Sequence, residues 1–319
     1  ANIVDGVASA TFKDLTPGDY IVNVNYDGDD ACDGSTNSTS FNVAKADSDV
    51  VISVDDVVYG GDVTVVAAVS SGATGNVTFT VNGVNKSAAV ADGKANATFS
   101  NLGAGDYSVV ASYAGDNNYK ASNSTAKFNV AKADVDVKIN VGDIKVGETA
   151  IITVIVSPGV TGNVTVTVNG KSETVNVTDG NAILKVADLA ANKYDVTVIY
   201  NGNDNYNVAK ANASFVVSKV SDYKMNVTVP TIAAGENAVI EVSLPKDATN
   251  NVTVVINNKK YTAAVLNGSA KVIIPGLTTG KYNMSVNYSG DDKYTQSSAN
   301  FNITVEDNKN VNLNISDIV

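Results

Sequence analysis

Residues 101–117 read NLGAGDYSVVASYAGDN, and three other stretches of the chain are versions of the same sequence. They are DLTPGDYIVNVNYDGDD at 14–30, DLAANKYDVTVIYNGND at 188–204 and GLTTGKYNMSVNYSGDD at 276–292. Successive copies are offset by 87, 87 and 88 residues. Because solenoid repeats are usually only about 20–50 residues long, this period predicts that each unit is a complete small domain.

The clearest unit, residues 47–133, consists of short runs that suit β-strands. The run Asn76–Val81 alternates apolar and polar residues and ends at Asn82-Gly83, a dipeptide that favours a type I′ hairpin turn. Asp92-Gly93 marks the next hairpin. About seven such runs follow one another, and none has a helical period. The pattern predicts an all-β fold in which two antiparallel sheets pack as a sandwich.

The first tyrosine of each copy follows a leucine by five residues, in the pattern Leu-x-x-Gly-x-Tyr, with Asn192 replacing Gly in the third copy. A tyrosine that opens the sixth strand of a sandwich can turn its hydroxyl back onto the preceding backbone corner. We therefore predict structural tyrosine corners at Tyr20, Tyr107, Tyr194 and Tyr282. A phenylalanine of the closing strand keeps nearly the same register in the four copies, at Phe41, Phe128, Phe215 and Phe301.

The composition excludes most enzyme chemistry. The 319 residues carry 22 basic groups, all of them Lys, and 33 acidic groups, for a net charge of −11. With no His and only Cys32, there are no Cys/His zinc sites, no His-dependent triads and no internal disulfide framework. Asp55 and Asp56 are adjacent on a strand, so they point to opposite faces and do not face each other across a cleft as glycosidase carboxylates do. The sequence predicts no enzyme.

The same composition bears on partners. Nucleic acid binding needs a basic stripe and leans on Arg for base recognition, and this chain is acidic and has no Arg. No run of 18 apolar residues occurs, so this segment is predicted to contain no membrane span.

The repeats resemble a known family. The runs GNVTFTVNG at 75–83, GNVTVTVNG at 162–170 and NNVTVVINN at 250–258, with the motifs L-x-x-G-x-Y, Y-x-G-D-x-x-Y and F-N-V-x-K, are similar to bacterial Ig-like repeats of the group 3 type. Within that group, the Asn- and Lys-rich, Arg-free wording is similar to adhesin-like cell-surface proteins of methanogenic archaea. The resemblance implies tandem Ig-like β-sandwich domains in an extracellular cell-adhesion protein. It implies no ligand, because the motif residues are those that the fold requires.

The repeat register sets the expected domain boundaries. Complete domains are predicted at 47–133, 134–220 and 221–305, whereas 1–46 matches the C-terminal part of a domain and 306–319 matches a first strand. We expect an excerpt of a longer array, in which neighbouring repeats of the same chain are each other's partners. The alternative is that the final strand of one chain completes the truncated first domain of another copy in a surface fibre.

The linkers VAKAD, VAKAD and VSKVS contain no Gly/Ser spacer, which predicts an extended, semi-rigid rod of about 130–150 Å. A lysine closes the last strand of three copies, and Val305 breaks the pattern in the fourth. Similar surface modules can form isopeptide crosslinks between Lys and Asn or Asp, which makes these lysines crosslinking candidates; the alternative is an exposed lysine at a domain joint. They are Lys45, Lys132 and Lys219.

Acidic turns follow the strand-ending tyrosines. Clustered carboxylates are ligands that Ca²⁺ prefers, so calcium is the one cofactor that the sequence leaves open, and the alternative is a hairpin that uses Gly and Asp for its geometry. The candidate ligands are Asp29, Asp30, Asp116, Asp204, Asp291 and Asp292.

Fifteen Asn-x-Ser/Thr triplets occur, where the composition predicts about seven by chance, and this excess favours glycosylation of an exported chain. Outward Asn and Thr on alternating strands would produce the same triplets. The candidates are Asn37, Asn76, Asn85, Asn96, Asn123, Asn163, Asn176, Asn212, Asn226, Asn251, Asn267, Asn283, Asn287, Asn302 and Asn314. Cys32 occupies the position of Tyr119 and its counterparts, which indicates a packing role more than a disulfide between chains.

Taken together, the sequence predicts a non-enzymatic stalk or adhesin-like repeat region that projects or forms an adhesive structure at the cell surface. Two alternatives stay open. One is a self-assembling filament subunit that uses strand exchange, and the other is a set of repeats that themselves bind glycans or a partner cell surface.

Overall fold

The computed structural model describes residues 1–307, in which every regular element is a β-strand. Among these residues no helix is long and apolar enough to cross a membrane. The chain forms two compact units, one of residues 1–135 with 202–207 and one of residues 136–201 with the chain from 208 onward. The strand expected at 306–319 lies, from residue 308, outside the described residues.

The first unit contains ten strands in three sheets. Strands β1 and β2 form a two-stranded hairpin, β3-β5-β8 form a three-stranded sheet, and β4-β10-β9-β6-β7 form a five-stranded sheet. The strands are β1 Gly18–Tyr26, β2 Ser35–Val43, β3 Val50–Ser53, β4 Val57–Val58, β5 Val63–Val69, β6 Asn76–Val81, β7 Val84–Ala89, β8 Lys94–Phe99, β9 Gly105–Tyr113 and β10 Ser122–Ala131.

The second unit repeats the three-plus-five arrangement twice, as β11-β13-β16 with β12-β18-β17-β14-β15 and as β19-β21-β24 with β20-β26-β25-β22-β23. Its strands are β11 Val137–Asn140, β12 Ile144–Lys145, β13 Ala150–Val156, β14 Asn163–Val168, β15 Lys171–Asn176, β16 Asn181–Val186, β17 Asn192–Tyr200, β18 Ala209–Ser218, β19 Asn226–Thr228, β20 Ile232–Ala233, β21 Ala238–Ser243, β22 Asn251–Ile256, β23 Lys259–Ala264, β24 Ser269–Ile274, β25 Gly280–Tyr288 and β26 Ser297–Glu306.

The alternating sequence pattern produces the cores. Side chains of a strand point alternately to its two faces, so Val63, Val65 and Ala67 of β5 turn inward and are fully buried, as is Phe79 of β6. These residues join one apolar cluster between the two sheets of the repeat. The last repeat builds the same kind of core around Ile240 and its neighbours. The predicted all-β, immunoglobulin-like sandwich fold is confirmed.

Each complete repeat has eight strands, one more than the sequence pattern indicated. The additional strand is the two-residue β4: β3 pairs with β5 in one sheet, and the chain then crosses so that β4 pairs in parallel with β10 in the other. In the second repeat the Asp56 carboxylate lies at this crossing and accepts a hydrogen bond from the Asn129 N–H at 2.7 Å. Asp143 does the same for the Val216 N–H in the third repeat.

The fourth repeat departs from the register that the phenylalanines suggested. Tyr107 pairs with Phe128 across the last two strands, but Tyr282 pairs with Ile303, two residues beyond Phe301. The buried Ile303 therefore takes the place of Phe128. Asp307 takes the place of a joint lysine, because it lies four residues beyond Ile303 just as Lys132 lies four residues beyond Phe128. The sequence alignment that put Val305 there was wrong by two residues.

Candidate functional site

The last part of the repeat signature lies at the tip of the hairpin made by the last two strands of each repeat. We call these segments the tip loops. They are residues 27–34, 114–121, 201–208 and 289–296.

An Asp or Asn organises the backbone of every tip loop. In the second repeat the Asp116 Oδ1 atom accepts hydrogen bonds from the N–H groups of Asn118 and Tyr119 at 2.7 and 2.8 Å. Gly115 precedes it with φ +82°, and a Cβ there would lie 2.8 Å from the Tyr119 carbonyl oxygen. Side chains at the equivalent position accept the same two bonds in the other copies, and they are Asp29, Asn203 and Asp291.

Three tip loops bind the linker that enters their repeat. In the first joint the Ala46 N–H donates to the Asn118 carbonyl at 2.9 Å, and the Lys120 N–H donates to the Ala46 carbonyl at 2.9 Å. The two bonds make a short parallel bridge between Ala46 and Tyr119. The same pair of bonds forms in the other two joints, where the bridged residues are Ala133 with Tyr206 and Val220 with Tyr294.

The lysine before each bridge adds a further hydrogen bond. The Lys45 ammonium donates to the Asp116 backbone carbonyl at 2.5 Å, and the Lys132 ammonium donates to the Asn203 backbone carbonyl at 2.6 Å. Lys219 donates to the Asp291 backbone carbonyl. All three lysines are exposed and bond to main-chain oxygens. This geometry favours the plain joint lysine and gives the isopeptide prediction no support.

The fourth tip loop has the strongest electrostatics. Asp291 is 8% exposed, and its Oδ2 atom accepts bonds from the Thr249 N–H at 2.8 Å and the Tyr288 hydroxyl at 2.8 Å. Burial acts to raise the pKa of Asp291, but its hydrogen bonds outweigh burial and lower it to about 2. Burial and the Asp291 carboxylate in turn raise the pKa of Tyr288. A buried, ionised carboxylate with several donors holds the loop in one conformation.

Asp116 is held in the same manner in the second repeat. Its Oδ2 atom accepts bonds from the Thr74 N–H at 2.7 Å and the Thr74 hydroxyl at 2.8 Å. The Thr74 N–H bond is the largest of the causes that lower the pKa of Asp116. Burial, together with this carboxylate, raises the pKa of Tyr113 to about 12.

Aromatic contacts complete two of the joints. In the first unit the Tyr59 ring meets the Tyr206 ring edge-on with centroids 5.3 Å apart, and the Asn205 side chain accepts a bond from the Ala104 N–H at 2.9 Å. In the second unit the Tyr223 ring meets the Tyr294 ring at 5.2 Å. The sequence analysis missed the bridges and these rings. The recurring Lys-Ala or Lys-Val step after each closing strand was the available signal.

The acidic turn residues do not converge on a metal site. Asp29, Asp116 and Asp291 use carboxylate oxygens to hold their own loops, while Asp30, Asp204 and Asp292 are exposed. Within residues 1–307 no group of three or more Asp, Glu or Cys side chains is arranged to hold a metal ion. The calcium prediction is therefore without support.

The glycosylation candidates lie mostly on the surface. Twelve of the fourteen within the described residues are exposed, and Asn314 lies outside them. Asn163 and Asn287 are half-buried and bonded to neighbours; for example, the Asn287 amide donates to the Thr253 carbonyl and its oxygen accepts from Ser298. Access permits modification at the exposed sites, and glycosylation stays a prediction.

The four candidate corner tyrosines all bond to the backbone. Each hydroxyl donates to the carbonyl oxygen of the residue four positions earlier, at distances of 2.7, 2.9, 3.0 and 2.8 Å for Tyr20, Tyr107, Tyr194 and Tyr282. Asn192, where the motif has Gly in the other copies, does not prevent the bond. Cys32 is exposed and lies in the first tip loop.

Several solved structures are similar to parts of this chain. A structure that concerns host cell surface retention of a 1.5-MDa bacterial ice-binding adhesin shares 18% identity with this chain, and the match covers 81% of this chain and 98% of that one at a TM-score of 0.29. A titin I-band fragment shares 13% identity, and the match covers 83% of this chain and 99% of that one at a TM-score of 0.32. Fibronectin(III)-like modules of Clostridium thermocellum CbhA share 16% identity, and the match covers 53% of this chain and 94% of that one at a TM-score of 0.25.

No curated protein matches the sequence. Residues 50–131, which contain all the strands of the second repeat, match the family described as bacterial Ig-like domain (group 3).

Proposed function

We propose that this chain is a non-enzymatic spacer region of a cell-surface protein, in which Ig-like repeats are connected through hydrogen-bonded joints. The observation that carries the proposal is the joint itself. The same three bonds recur at Lys45-Ala46, Lys132-Ala133 and Lys219-Val220. A repeat that only had to fold on its own would not need a residue of the linker to pair with its tip loop.

The physical argument concerns rotation about the linkers. Gly/Ser-rich linkers behave as flexible coils, and relative motion of domains is expected unless their contact is well ordered. Here the linker has no such spacer, and two backbone bonds fix its direction at each joint. A lysine then bonds the loop beyond the bridge. Such joints suit a spacer, which keeps two parts of a protein a fixed distance apart.

The location at the cell surface has separate support. Twelve accessible Asn-x-Ser/Thr triplets suit an exported chain, and residues 50–131 match a bacterial Ig-like family. The Asn- and Lys-rich, Arg-free composition extends the proposal to adhesin-like proteins of methanogenic archaea. An adhesive tip, glycans or another cell surface would then be partners of the longer protein.

Small-angle X-ray scattering tests the proposal. We expect a maximum dimension of about 130–150 Å with a narrow distribution. A variant with Gly-Ser-Gly-Ser inserted between Lys132 and Ala133 should be more compact on average and more heterogeneous. The matched control places the same insert between Asn82 and Gly83, in an exposed hairpin turn, where it should change nothing. A wild-type chain as heterogeneous as the joint insertion would disprove the spacer function.

A second candidate is a filament subunit, and one observation favours it. The inner face of the β1–β2 hairpin is uncovered within residues 1–307, so Val24 is 58% and Phe41 39% exposed. A second copy could cover this face. Under this alternative, sedimentation would show mass rising with concentration, and Phe41→Lys would abolish the rise. A monomer at all concentrations excludes it.

A further inference from the structure

The three-stranded sheet of the third repeat, β11-β13-β16, has an apolar patch on its outer side. Ile151 and Ile155 of β13 and Ile183 of β16 point away from the core and are 53%, 42% and 54% exposed. Ile183 is paired with Thr153, the residue midway between the other two isoleucines. Diagonal neighbours in an antiparallel pair lie about 7–8 Å apart, within reach of long side chains. The three isoleucines therefore form one continuous patch.

The strand residues around this patch are polar and include no carboxylate. The outward residues form three rows across the strands, because paired residues lie side by side on the same face. We call them the isoleucine face, and the rows are Lys138-Ile155-Asn181, Asn140-Thr153-Ile183 and, where β11 has ended, Ile151-Lys185. The whole chain carries a net charge of −11, so two copies repel each other over much of their surface. On the isoleucine face they approach each other without facing carboxylates.

The matching faces of the second and fourth repeats differ from it. In the second repeat Asn96 takes the position of Ile183 and heads an Asn-x-Ser/Thr triplet. In the fourth repeat Asn226 takes the position of Lys138 and heads another. A glycan on either residue would cover its face. The triplets of the third repeat all lie on strands of its five-stranded sheet, at Asn163, Asn176 and Asn212, so its isoleucine face would stay uncovered.

The isoleucine face is complementary to itself when a second copy lies on it in the opposite direction. Two sheets pack face to face with their strands nearly aligned. A two-fold axis along the middle row places Ile155 over Ile151 of the second copy and Ile183 over its own counterpart. Lys185 then lies over Asn181 of the second copy and meets no like charge. In a parallel pair Ile183 would lie over an asparagine, so only the antiparallel pair matches every isoleucine with an isoleucine.

We propose that the isoleucine face binds the same face of a second copy of this chain, with the strands of the two sheets antiparallel. Three strands about 4.8 Å apart and seven residues long offer about 300 Å² per copy. A typical stable complex buries about 800 Å² per partner, so this pairing is weak and reversible. The pairing goes beyond the proposed spacer function and does not depend on it. Where both hold, an antiparallel pair joins chains that project from two facing surfaces.

Sedimentation equilibrium of the full chain between about 10 µM and about 1 mM tests the pairing. We expect the average mass to rise toward that of a dimer and no further, because a two-fold contact is closed. Ile155→Lys should lower the association constant at least about tenfold, since its ammonium would lose water against Ile151 of the second copy. Ile155→Thr keeps a β-branched strand residue and should lower it less. The matched control is Ile273→Lys, at a 55% exposed position on the outer side of the fourth repeat, and it should change nothing.

Three results would overturn the proposal. One is a monomer at every concentration, and another is an equal loss of association in Ile155→Lys and Ile273→Lys. The third is a rise in mass that Phe41→Lys abolishes and Ile155→Lys does not, which would place the contact on the β1–β2 hairpin. None of the three bears on the spacer function, which the scattering experiment tests separately.

Crosslinking with a short bismaleimide tests the orientation of the pair. In a Cys32→Ser background, Asn140→Cys places the two introduced thiols opposite each other in an antiparallel pair, across sheets about 10 Å apart. Asn181→Cys places them about four residues apart along the strands as well. We therefore expect a much higher yield of crosslinked dimer from Asn140→Cys. Equal yields would indicate the parallel pair and contradict the proposal.

Discussion

The hairpins β1–β2 and β9–β10 are nearly the same structure in different surroundings. Both stack a tyrosine on a phenylalanine, with ring centroids 5.5 Å apart for Tyr20 and Phe41 and 5.3 Å for Tyr107 and Phe128. Yet Phe41 is 39% exposed and Phe128 only 4%. The hairpin, its corner and its loop are thus determined locally, while the opposing sheet β3-β5-β8 supplies burial.

The largest difference is expected at the paired phenylalanines. Phe128→Ala removes a ring from a packed core and should cost about 3–5 kcal/mol of the unfolding free energy of its repeat. Phe41→Ala removes a ring that is already in water on one side, so it should cost well under half as much. Hydrogen-exchange mass spectrometry, which reads each repeat separately, measures both. Similar losses would mean that the β1–β2 face is covered in solution.

The tip loops should respond next, through Asp291. Asp291→Asn keeps an acceptor for the Lys293 and Tyr294 N–H groups but turns an amide donor toward Thr249 and the buried Tyr288 hydroxyl. The Thr249 N–H and the Tyr288 hydroxyl proton then lose their acceptor, and a buried donor without an acceptor costs about 1–3 kcal/mol. The control is Asp292→Asn, an exposed neighbour that should change nothing. Local exchange rates in β25 and β26 report the loss. Equal protection in both variants would refute the loop role of Asp291.

The lowered pKa of Asp291 predicts how the free energy of unfolding depends on pH. Its folded pKa of about 2 lies below an unfolded value of about 3.9. Its stabilisation is therefore complete above pH 4 and is lost as the pH falls from about 4 to about 2. Thermal unfolding of the wild type should show this loss, and Asp291→Asn should show less of it. An unchanged acid profile in the variant would assign the effect to other carboxylates.

These contrasts show what could be predicted from the sequence. Strand alternation and the Asn82-Gly83 turn are local, and the positive φ values of 47° and 77° at these two residues agree with the predicted hairpin. The corner bond of Tyr107 is local too. The short strand β4 was missed because its position depends on pairing with the distant strand β10, where Asp56 accepts a hydrogen bond from the Asn129 N–H. The joint bridges were missed because they pair residues about 73 positions apart, and a repeat alignment aligns copies but does not pair them.

The tyrosine corners should give a smaller difference. Tyr107→Phe deletes the 2.9 Å bond to the Gly103 carbonyl in a half-buried corner and should cost about 1 kcal/mol. Tyr20→Phe deletes the 2.7 Å bond to Thr16, which is exposed, so water replaces it at little cost. Exchange of the β1 and β9 amides compares the two. A larger loss at Tyr20 would show that the corner holds the first hairpin without an opposing sheet.

The smallest effect distinguishes a tip loop that binds a linker from the first tip loop, which binds none within residues 1–307. The Lys120 N–H donates to the linker carbonyl of Ala46, whereas its counterpart at Asp33 has no such partner within the described chain. We expect the Lys120 amide to exchange slowly and the Asp33 amide to exchange at nearly the rate of an unstructured peptide. Lys45→Ala should reduce the protection of Lys120 only about two- to threefold, since an exposed ammonium contributes little. If the Asp33 amide were as protected as that of Lys120, a hydrogen-bond acceptor would contact the first tip loop in solution. The two hairpins would then differ less than the structure shows.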